Sequence, residues 1–212
     1  MDKEQIQNNI AKRVAQELKN GQYINLGIGL PTKVADFVPD GVKVFFHAEN
    51  GFIGLGLQPT EEELDPTIVN AGGQPVTIVP GGAFFDSATS FGIVRGGHLD
   101  MTILGALQVD QKGNIANYMI PGKLVPGMGG AMDLLVGAKK VVVAMEHTAK
   151  GSPKILKECN LPLTAALAVD MIITEMAVME VRDQVLYLTE LCNGYTLDEV
   201  KAATEAEFIV EL

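Results

Sequence analysis

Apolar residues recur every four positions near the N-terminus. Ile6, Ile10, Val14 and Leu18 follow this spacing, which places them along one face of a helix. Gly21 is suited to end that helix, because glycine readily adopts the left-handed conformation that follows many helix C-termini. The pattern predicts an amphipathic helix with one face in a core.

Short apolar runs, separated by glycine-rich or polar turns, fill the rest of the chain. Continuous apolar runs are typical of strands that are covered on both faces. Strands are predicted at residues 23–26, 42–46, 76–79, 99–107, 141–145, 171–174, 177–181, 185–189 and 208–210. Helices are predicted at residues 31–38 and 87–95, from about residue 130, and after Thr196. Strands that alternate with helices indicate an α/β fold.

The composition is that of a globular protein, with 47% hydrophobic and 20% charged residues in 212. This length fits one large domain or two small ones, and since no linker divides the chain we expect a single domain over residues 1–212. The formal net charge of −10 argues against nucleic acid and anionic membranes as partners. No apolar run reaches the roughly 18 residues of a membrane span. Two cysteines indicate a reducing compartment, so we expect a cytoplasmic protein.

One stretch combines a single charge with apolar residues and glycines. Between Val44 and Thr60 the only formal charge is Glu49, which follows a strand-like segment and precedes the turn-forming pair Asn50-Gly51. A carboxylate in such surroundings is poorly solvated, which raises its pKa and its reactivity. The alternative is a solvated glutamate at a hairpin tip, but apolar residues directly after the turn argue against it.

Other catalytic and metal-binding patterns are absent from the sequence. The three histidines, His47, His98 and His147, form no zinc or Ser-His-Asp motif, and the cysteine spacing offers no metal site. His47 lies two residues before Glu49, so the two side chains share a face if the strand continues to Glu49. The run from Gly27 to Thr32 resembles a phosphate loop but lacks the third glycine of the dinucleotide fingerprint, so a tight turn is favoured.

A second glycine-rich region, Gly127–Asp133, precedes a predicted helix. The first N–H groups of that helix can serve an anion or an oxyanion, although close backbone packing at a turn is an equal alternative. A carboxylate nucleophile beside such donors suits attack on an activated acyl group, which gives a mixed anhydride. A thiolate or a second carboxylate can then break the anhydride without loss of the acyl group to water.

Several motifs occur together in an order that resembles the β subunits of family I coenzyme A transferases of the 3-oxoacid type. They are NLGIGLPT at 25–32, ENG at 49–51, NAGG at 70–73, RGGHLD at 95–100, GMGGAMDL at 127–134, EHTAK at 146–150 and LPLT at 161–164. The resemblance implies an open, mostly parallel α/β sheet covered by helices, which is the fold of the CoA transferase superfamily and of related sugar-phosphate isomerases.

The resemblance also implies roles for individual residues. Glu49 corresponds to the catalytic glutamate that forms an acyl anhydride and then a glutamyl-CoA thioester, and Asn50, Gly51, Gly129 and Gly130 correspond to loops that contact the oxyanion and the thioester. Coenzyme A is then a substrate, and no permanently bound cofactor or metal is expected. Ala48 stands where the family usually has serine, so a hydroxyl beside the nucleophile is missing.

The family's G-G-F-G signature is absent here and belongs to the α subunit, so the expected partner is an α subunit in an α2β2 assembly. The leading hypothesis is transfer of CoA between acetoacetate and a short-chain acid such as acetate or butyrate. A succinyl-CoA:3-oxoacid enzyme is the close alternative. A phosphosugar isomerase on a related fold, or a non-catalytic scaffold subunit in which Glu49 is dispensable, are the alternatives from other classes.

Overall fold

The structure, a computed structural model, describes residues 2–56, 58–123 and 127–212. Its α-helices are α1 (Lys3–Ala15), α2 (Ser87–Arg95), α3 (Ala131–Gly137) and α4 (Leu197–Ala203), and a 3₁₀ helix spans Leu30–Phe37. The strands of the main sheet are β1 (Tyr23–Leu26), β2 (Phe45–Ala48), β3 (Phe52–Leu55), β4 (Ile78–Phe84), β5 (Met101–Leu104), β8 (Val141–Ala144), β12 (Met171–Ile173), β13 (Ala177–Arg182), β14 (Val185–Leu191) and β15 (Ile209–Val210). Smaller sheets contain β6 (Gln108–Asp110), β7 (Ile115–Ala116), β9 (Thr148–Ala149), β10 (Ser152–Pro153) and β11 (Ile155–Leu156).

The main sheet has the order β15-β14-β13-β12-β8-β5-β1-β2-β3-β4. Its centre, from β12 to β2, is parallel, whereas β3 and β4 at one end and β13 and β14 at the other are antiparallel. The predicted α/β fold with an open, mostly parallel sheet is confirmed. Because the central strands are parallel, the loops that follow them meet along one carboxyl edge, where open α/β sheets bind ligands.

Helices cover both faces of this sheet, so alternate residues of the central strands enter different cores. On one face α1 packs with Ile10 and Val14 against residues such as Ile103 and Val142. On the other face α2, α3 and α4 pack against their neighbours along the same strands, such as Val143. Burial on both faces explains why the central strands are apolar without alternation.

The predicted helix ends are partly confirmed. Thr196 and Glu199 form a capping box at α4, and the Asp86 side chain accepts the Thr89 N–H at the start of α2. Helix α1 ends at Ala15, earlier than predicted, and Gly21 lies in the following turn with φ +81°.

Some predicted elements differ from the observed ones. The strand predicted at 76–79 instead spans Ile78–Phe84 and lies antiparallel at the edge of the sheet. An edge strand can contain Pro80, because proline lacks the N–H that a strand inside the sheet must donate. The strand predicted at 99–107 ends at Leu104, and the helix predicted after Pro31 is a 3₁₀ helix. Strand β3 was not predicted. Within the described ranges, no helix is both long and apolar enough to cross a membrane.

Candidate active site

Glu49 directly follows β2, at the carboxyl edge of the sheet, and a tight turn sends the chain back into β3. The Gly51 N–H donates to the Ala48 carbonyl at 3.0 Å, and Gly51 has φ +133°. A Cβ at Gly51 would lie 2.4 Å from the Phe85 carbonyl oxygen, so only glycine allows the turn to pass so close to the main chain of Phe85. The geometry of the turn fixes where the Glu49 side chain begins.

The Glu49 carboxylate is half-buried and accepts two hydrogen bonds. The Asn25 side-chain nitrogen donates to Oε2 at 3.4 Å, and the Gly130 backbone N–H donates to the same carboxylate. Burial raises the pKa of Glu49, and the bonds from Asn25 and Gly130 oppose that rise without cancelling it. The group is therefore a desolvated carboxylate, as the sequence around it predicts, and it faces hydrogen-bond donors.

A row of buried polar residues crosses the sheet beneath this carboxylate. Thr102 on β5, Asn25 on β1 and His47 on β2 are lateral neighbours in the strand register. Each is at most 2% exposed. The Thr102 hydroxyl donates to Asn25 Oδ1 at 3.3 Å, and Asn25 Nδ2 lies 3.4 Å from His47 Nδ1. Because these groups bond one another, the row carries no unsatisfied polar atom into the core.

A serine on the covering helix α2 extends this row back to Glu49. The Ser90 hydroxyl lies 3.0 Å from His47 Nε2 and donates to the Glu49 main-chain carbonyl at 2.8 Å. The His47 ring stacks on Phe85 with a centroid separation of 6.0 Å. A hydroxyl thus reaches the main chain of Glu49 from α2, although Ala48 supplies none.

The predicted loop residues occupy different positions around the carboxylate. Gly130 is the N-cap of α3, and a Cβ there would lie 2.9 Å from the Phe91 ring and 3.3 Å from Glu49 Oε1. Gly129 precedes it with φ +52° and has open space around it. The Asn50 side chain points away from the carboxylate and donates to the Val69 carbonyl at 2.7 Å, which ties the next loop to the turn.

A cavity of about 610 Å³ opens beside Glu49. Its walls combine the main chain of glycine-rich turns after β1 and β5 with apolar side chains from α3 and the preceding loop. The lining includes Gly27, Ile28, Gly105, Met128, Gly129 and Leu134. The cavity is large enough for a small organic ligand, and its lining is mainly apolar.

A second group of charges lies along the same carboxyl edge and was not predicted. Glu146 follows β8 and Glu175 follows β12, and both stabilise the charge of Lys154, whose pKa is lowered chiefly by burial. His147 is buried in the loop after β8, and its ring nitrogens lie 2.8 and 2.9 Å from the hydroxyls of Thr174 and Thr204. These contacts make His147 a structural residue. Among the residues that the structure describes, no cluster of three metal-ligating side chains occurs.

Sequence reasoning placed His47 near Glu49 but missed Asn25, Thr102 and Ser90 as members of the site. The available signal was a lone polar residue inside each of two apolar strands, Asn25 in β1 and Thr102 in β5. Such residues require buried partners. No sequence pattern pointed to Ser90.

The sheet order, with a desolvated carboxylate at the carboxyl edge, defines a protein of the open-sheet α/β class. A model of the family described as Coenzyme A transferase matches residues 7–203. The chain therefore belongs to the coenzyme A transferase family.

Named relatives share most of their length with this chain. It is 55% identical to the beta subunit of acetate CoA-transferase from Escherichia coli K12 over 202 residues, covering 95% of this chain and 92% of the relative. It is 53% identical to a subunit of the succinyl-CoA:3-ketoacid coenzyme A transferase from Helicobacter pylori 26695 over 204 residues, covering 96% and 98%.

The fold is also that of a solved acyl-CoA transferase apoenzyme from Escherichia coli O157:H7, with a TM-score of 0.77 and 22% identity. The superposition covers 97% of this chain but 42% of that longer chain, so this chain spans about two fifths of it.

Proposed function

We propose that this chain is the β subunit of a CoA-transferase that moves CoA between acetoacetate and a short-chain carboxylic acid, with Glu49 as the nucleophile. The observation that carries the proposal is a desolvated carboxylate that accepts hydrogen bonds from Asn25 and Gly130. Burial makes the ionised Glu49 less stable and more reactive, and the Asn25 amide and the Gly130 N–H are aimed at its oxygens.

In the first half of the reaction the ionised Glu49 attacks the thioester carbonyl of an acyl-CoA. A C–O bond forms, the C–S bond breaks and CoA leaves as a thiolate, so that Glu49 and the acyl group are joined as a mixed anhydride. The thiolate then attacks the glutamyl carbonyl of that anhydride. The original acyl group leaves as a carboxylate, and Glu49 holds CoA as a thioester.

The second half repeats these steps in reverse with a different carboxylate. The incoming acid attacks the Glu49 thioester, CoA leaves as a thiolate, and the thiolate attacks the carbonyl of the new acyl group. A new acyl-CoA forms and Glu49 is released as a carboxylate. No general base is required, because both acids enter and leave ionised.

Attack on the glutamyl carbonyl places negative charge on a Glu49 oxygen. Asn25 Nδ2 and the Gly130 N–H already point at those oxygens, so they supply an oxyanion hole without reorganisation. A donor of this kind typically contributes about 3 kcal/mol to the transition state. Gly129, Gly51 and Asn50 shape this hole, Gly129 by its left-handed turn before α3 and the other two through the β2–β3 turn.

The proposal includes an α subunit in an α2β2 assembly and a cytoplasmic location. Both relatives are named as subunits, which supports a partner chain. The net charge of −10 supports it as well, because an acidic chain is a poor sole binder of polyanionic CoA. The two free cysteines support a reducing compartment. No permanently bound cofactor or metal enters the mechanism.

Acetate or butyrate is the proposed partner acid of acetoacetate, and succinate is the second candidate. Each has a specific support, since one relative is named for acetate and another for succinyl-CoA at nearly equal identity. A panel of acids from acetate to succinate, tested with the co-expressed α subunit and acetoacetyl-CoA, separates the two.

The test of the proposal is turnover by Glu49→Gln in the co-expressed assembly. The variant should lose at least about 10⁴-fold in kcat, because removal of a nucleophile leaves only binding and the oxyanion donors. The matched control is Glu62→Gln, the same change at an exposed residue, which should retain full activity. Turnover near that of the unmodified protein in Glu49→Gln would favour the scaffold alternative, in which Glu49 is dispensable.

A further inference from the structure

We propose that His47 is a positioning residue, which holds the Asn25 amide and the Glu49 main chain in the arrangement that the reaction requires. The inference rests on the proposed function of Glu49 and extends it to a residue two positions earlier. It is carried by a closed ring of hydrogen bonds, in which His47 is the link between the two ends of Glu49.

The direction of each bond in the ring follows from groups that can play only one role. The Asn25 side-chain nitrogen lies 3.3 Å from the His47 carbonyl and 3.4 Å from the Glu49 carboxylate, and both of these accept. The Asn25 oxygen accepts from the Thr102 hydroxyl. The NH₂ group of Asn25 must therefore face His47 Nδ1, which accepts.

The remaining protons are then fixed in turn. With Nδ1 as an acceptor, the neutral His47 ring carries its proton on Nε2 and donates it to Ser90 Oγ at 3.0 Å. Ser90 consequently uses its own proton to donate to the Glu49 carbonyl at 2.8 Å. Burial lowers the pKa of His47 to about 4, so the ring stays neutral near pH 7 and this arrangement persists.

The ring of hydrogen bonds holds Glu49 at two points. The carboxylate is reached through Asn25, and the main-chain carbonyl is reached through Ser90. The three contacts of the Asn25 amide nitrogen are long, between 3.3 and 3.4 Å, so the orientation of the amide depends on all of them together. Loss of Nδ1 removes one of the acceptors that hold the amide in this orientation. The oxyanion donor of the proposed reaction then turns away from the glutamyl oxygen for part of the time.

Conservative variants separate the two ends of the imidazole. In His47→Asn the side-chain oxygen takes the place of Nδ1 and preserves the bond from Asn25. In His47→Gln the amide nitrogen takes the place of Nε2 and preserves the bond to Ser90. His47→Phe keeps a ring that can stack on Phe85 but removes both nitrogens.

The experiment measures kcat, KM for acetoacetyl-CoA and the rate of thioester formation on Glu49, in the co-expressed assembly. His47→Phe should lower kcat and the thioester rate at least tenfold, with KM changed by less than threefold. His47→Asn should keep kcat within threefold of the unmodified protein. His47→Gln should fall at least fivefold below His47→Asn, because it removes the Nδ1 acceptor that helps to orient the Asn25 amide.

The matched control is His147→Phe, which removes both ring nitrogens from another buried histidine. His147 forms hydrogen bonds with the hydroxyls of Thr174 and Thr204 and none with Asn25, Ser90 or Glu49. Thermal unfolding measures how much each Phe variant lowers Tm. Both variants should lower Tm, whereas kcat should fall only in His47→Phe. Should His47→Phe fail to fold, the comparison of His47→Asn with His47→Gln decides. The inference is overturned if folded His47→Phe has kcat within twofold of the unmodified protein, or if the Asn and Gln variants are equally active. Absence of any Glu49 thioester in the unmodified assembly would instead reject the proposed function.

Discussion

Replacing Asn25 by aspartate exchanges one amide nitrogen for an oxygen and leaves the shape of the side chain unchanged. That nitrogen lies 3.4 Å from Glu49 Oε2, so the variant places two carboxylate oxygens at this distance. Two unit charges at this separation repel by about 5 kcal/mol at an effective dielectric constant of about 20. The two groups cannot both ionise near neutral pH, and the pKa of Glu49, which burial already raises, moves further upward.

Two effects of Asn25→Asp therefore combine in the steady-state rate. Loss of the oxyanion donor lowers kcat by about 10²- to 10³-fold, and protonation of the nucleophile adds to this at neutral pH. Because the active form of Glu49 is ionised, activity falls as the pH drops through its raised pKa. The acid limb of the pH–kcat profile should consequently move to higher pH in the variant, with partial recovery of kcat in alkaline buffer.

The matched control for this variant is Asn114→Asp. The Asn114 side-chain nitrogen lies 2.8 Å from Asp110 Oδ2 in the turn between β6 and β7, so the change creates a similar carboxylate pair outside the proposed site. It should lower stability while leaving the pH–kcat profile unchanged. A kcat of Asn25→Asp within tenfold of the unmodified protein, or an acid limb that does not move, would refute the role assigned to the Asn25 amide.

Three further changes have expected outcomes. Gly51→Ala should lower the free energy of unfolding by about 3 kcal/mol, because its backbone is strained and the new Cβ would lie 2.4 Å from a carbonyl oxygen. Gly194→Ala is the control, with φ +78° and open space, and it should cost about 1 kcal/mol. Equal urea midpoints for the two variants would contradict this. Gly130→Ala should lower kcat at least about tenfold, because the added methyl group displaces the Gly130 N–H from the Glu49 carboxylate. Gly129→Ala has room for the methyl group and should change kcat less. The reverse order in steady-state assays would contradict the role of the Gly130 N–H as an oxyanion donor. Burial lowers the pKa of His147 to about 4, so between pH 6.5 and about 4 the unfolded chain binds a proton that the folded chain does not. Stability should therefore fall as the pH drops through this window, by about 3 kcal/mol at its lower end, and urea titrations of His147→Gln should show a smaller fall than the unmodified chain.

The sequence was sufficient to predict that the Glu49 carboxylate is desolvated, because a local property identified it. One charge in a long apolar and glycine-rich stretch, directly after a strand, indicates a desolvated carboxylate at the edge of a sheet. The central strands and the caps of α2 and α4 were predictable for the same reason, since apolar runs and N-cap side chains act over a few neighbouring residues. The assignment of one domain over residues 1–212 and the chemical roles of the site residues stay predictions.

The hydrogen-bonded ring could not be predicted, because it depends on strand register. Asn25, His47 and Thr102 are distant in sequence and meet only because β5, β1 and β2 align them side by side. Ser90 reaches them from a helix whose rotation is set by packing. The edge strand β4 was misplaced for a related reason, since its proline and glycines resemble a loop until β3 is known to pair with it. The Asn50 side chain likewise contacts Val69, which no local pattern indicated.

The most direct test of the account is a mass measurement on the Glu49 peptide. The chain is co-expressed with its α subunit, incubated with acetoacetyl-CoA without an acceptor acid, and digested under conditions that preserve thioesters. The account predicts a CoA adduct on the peptide that contains Glu49, its release by acetate or succinate, and its absence in Glu49→Gln. Turnover of acetoacetyl-CoA with no adduct on Glu49, or with the adduct on another residue, would contradict the central claim.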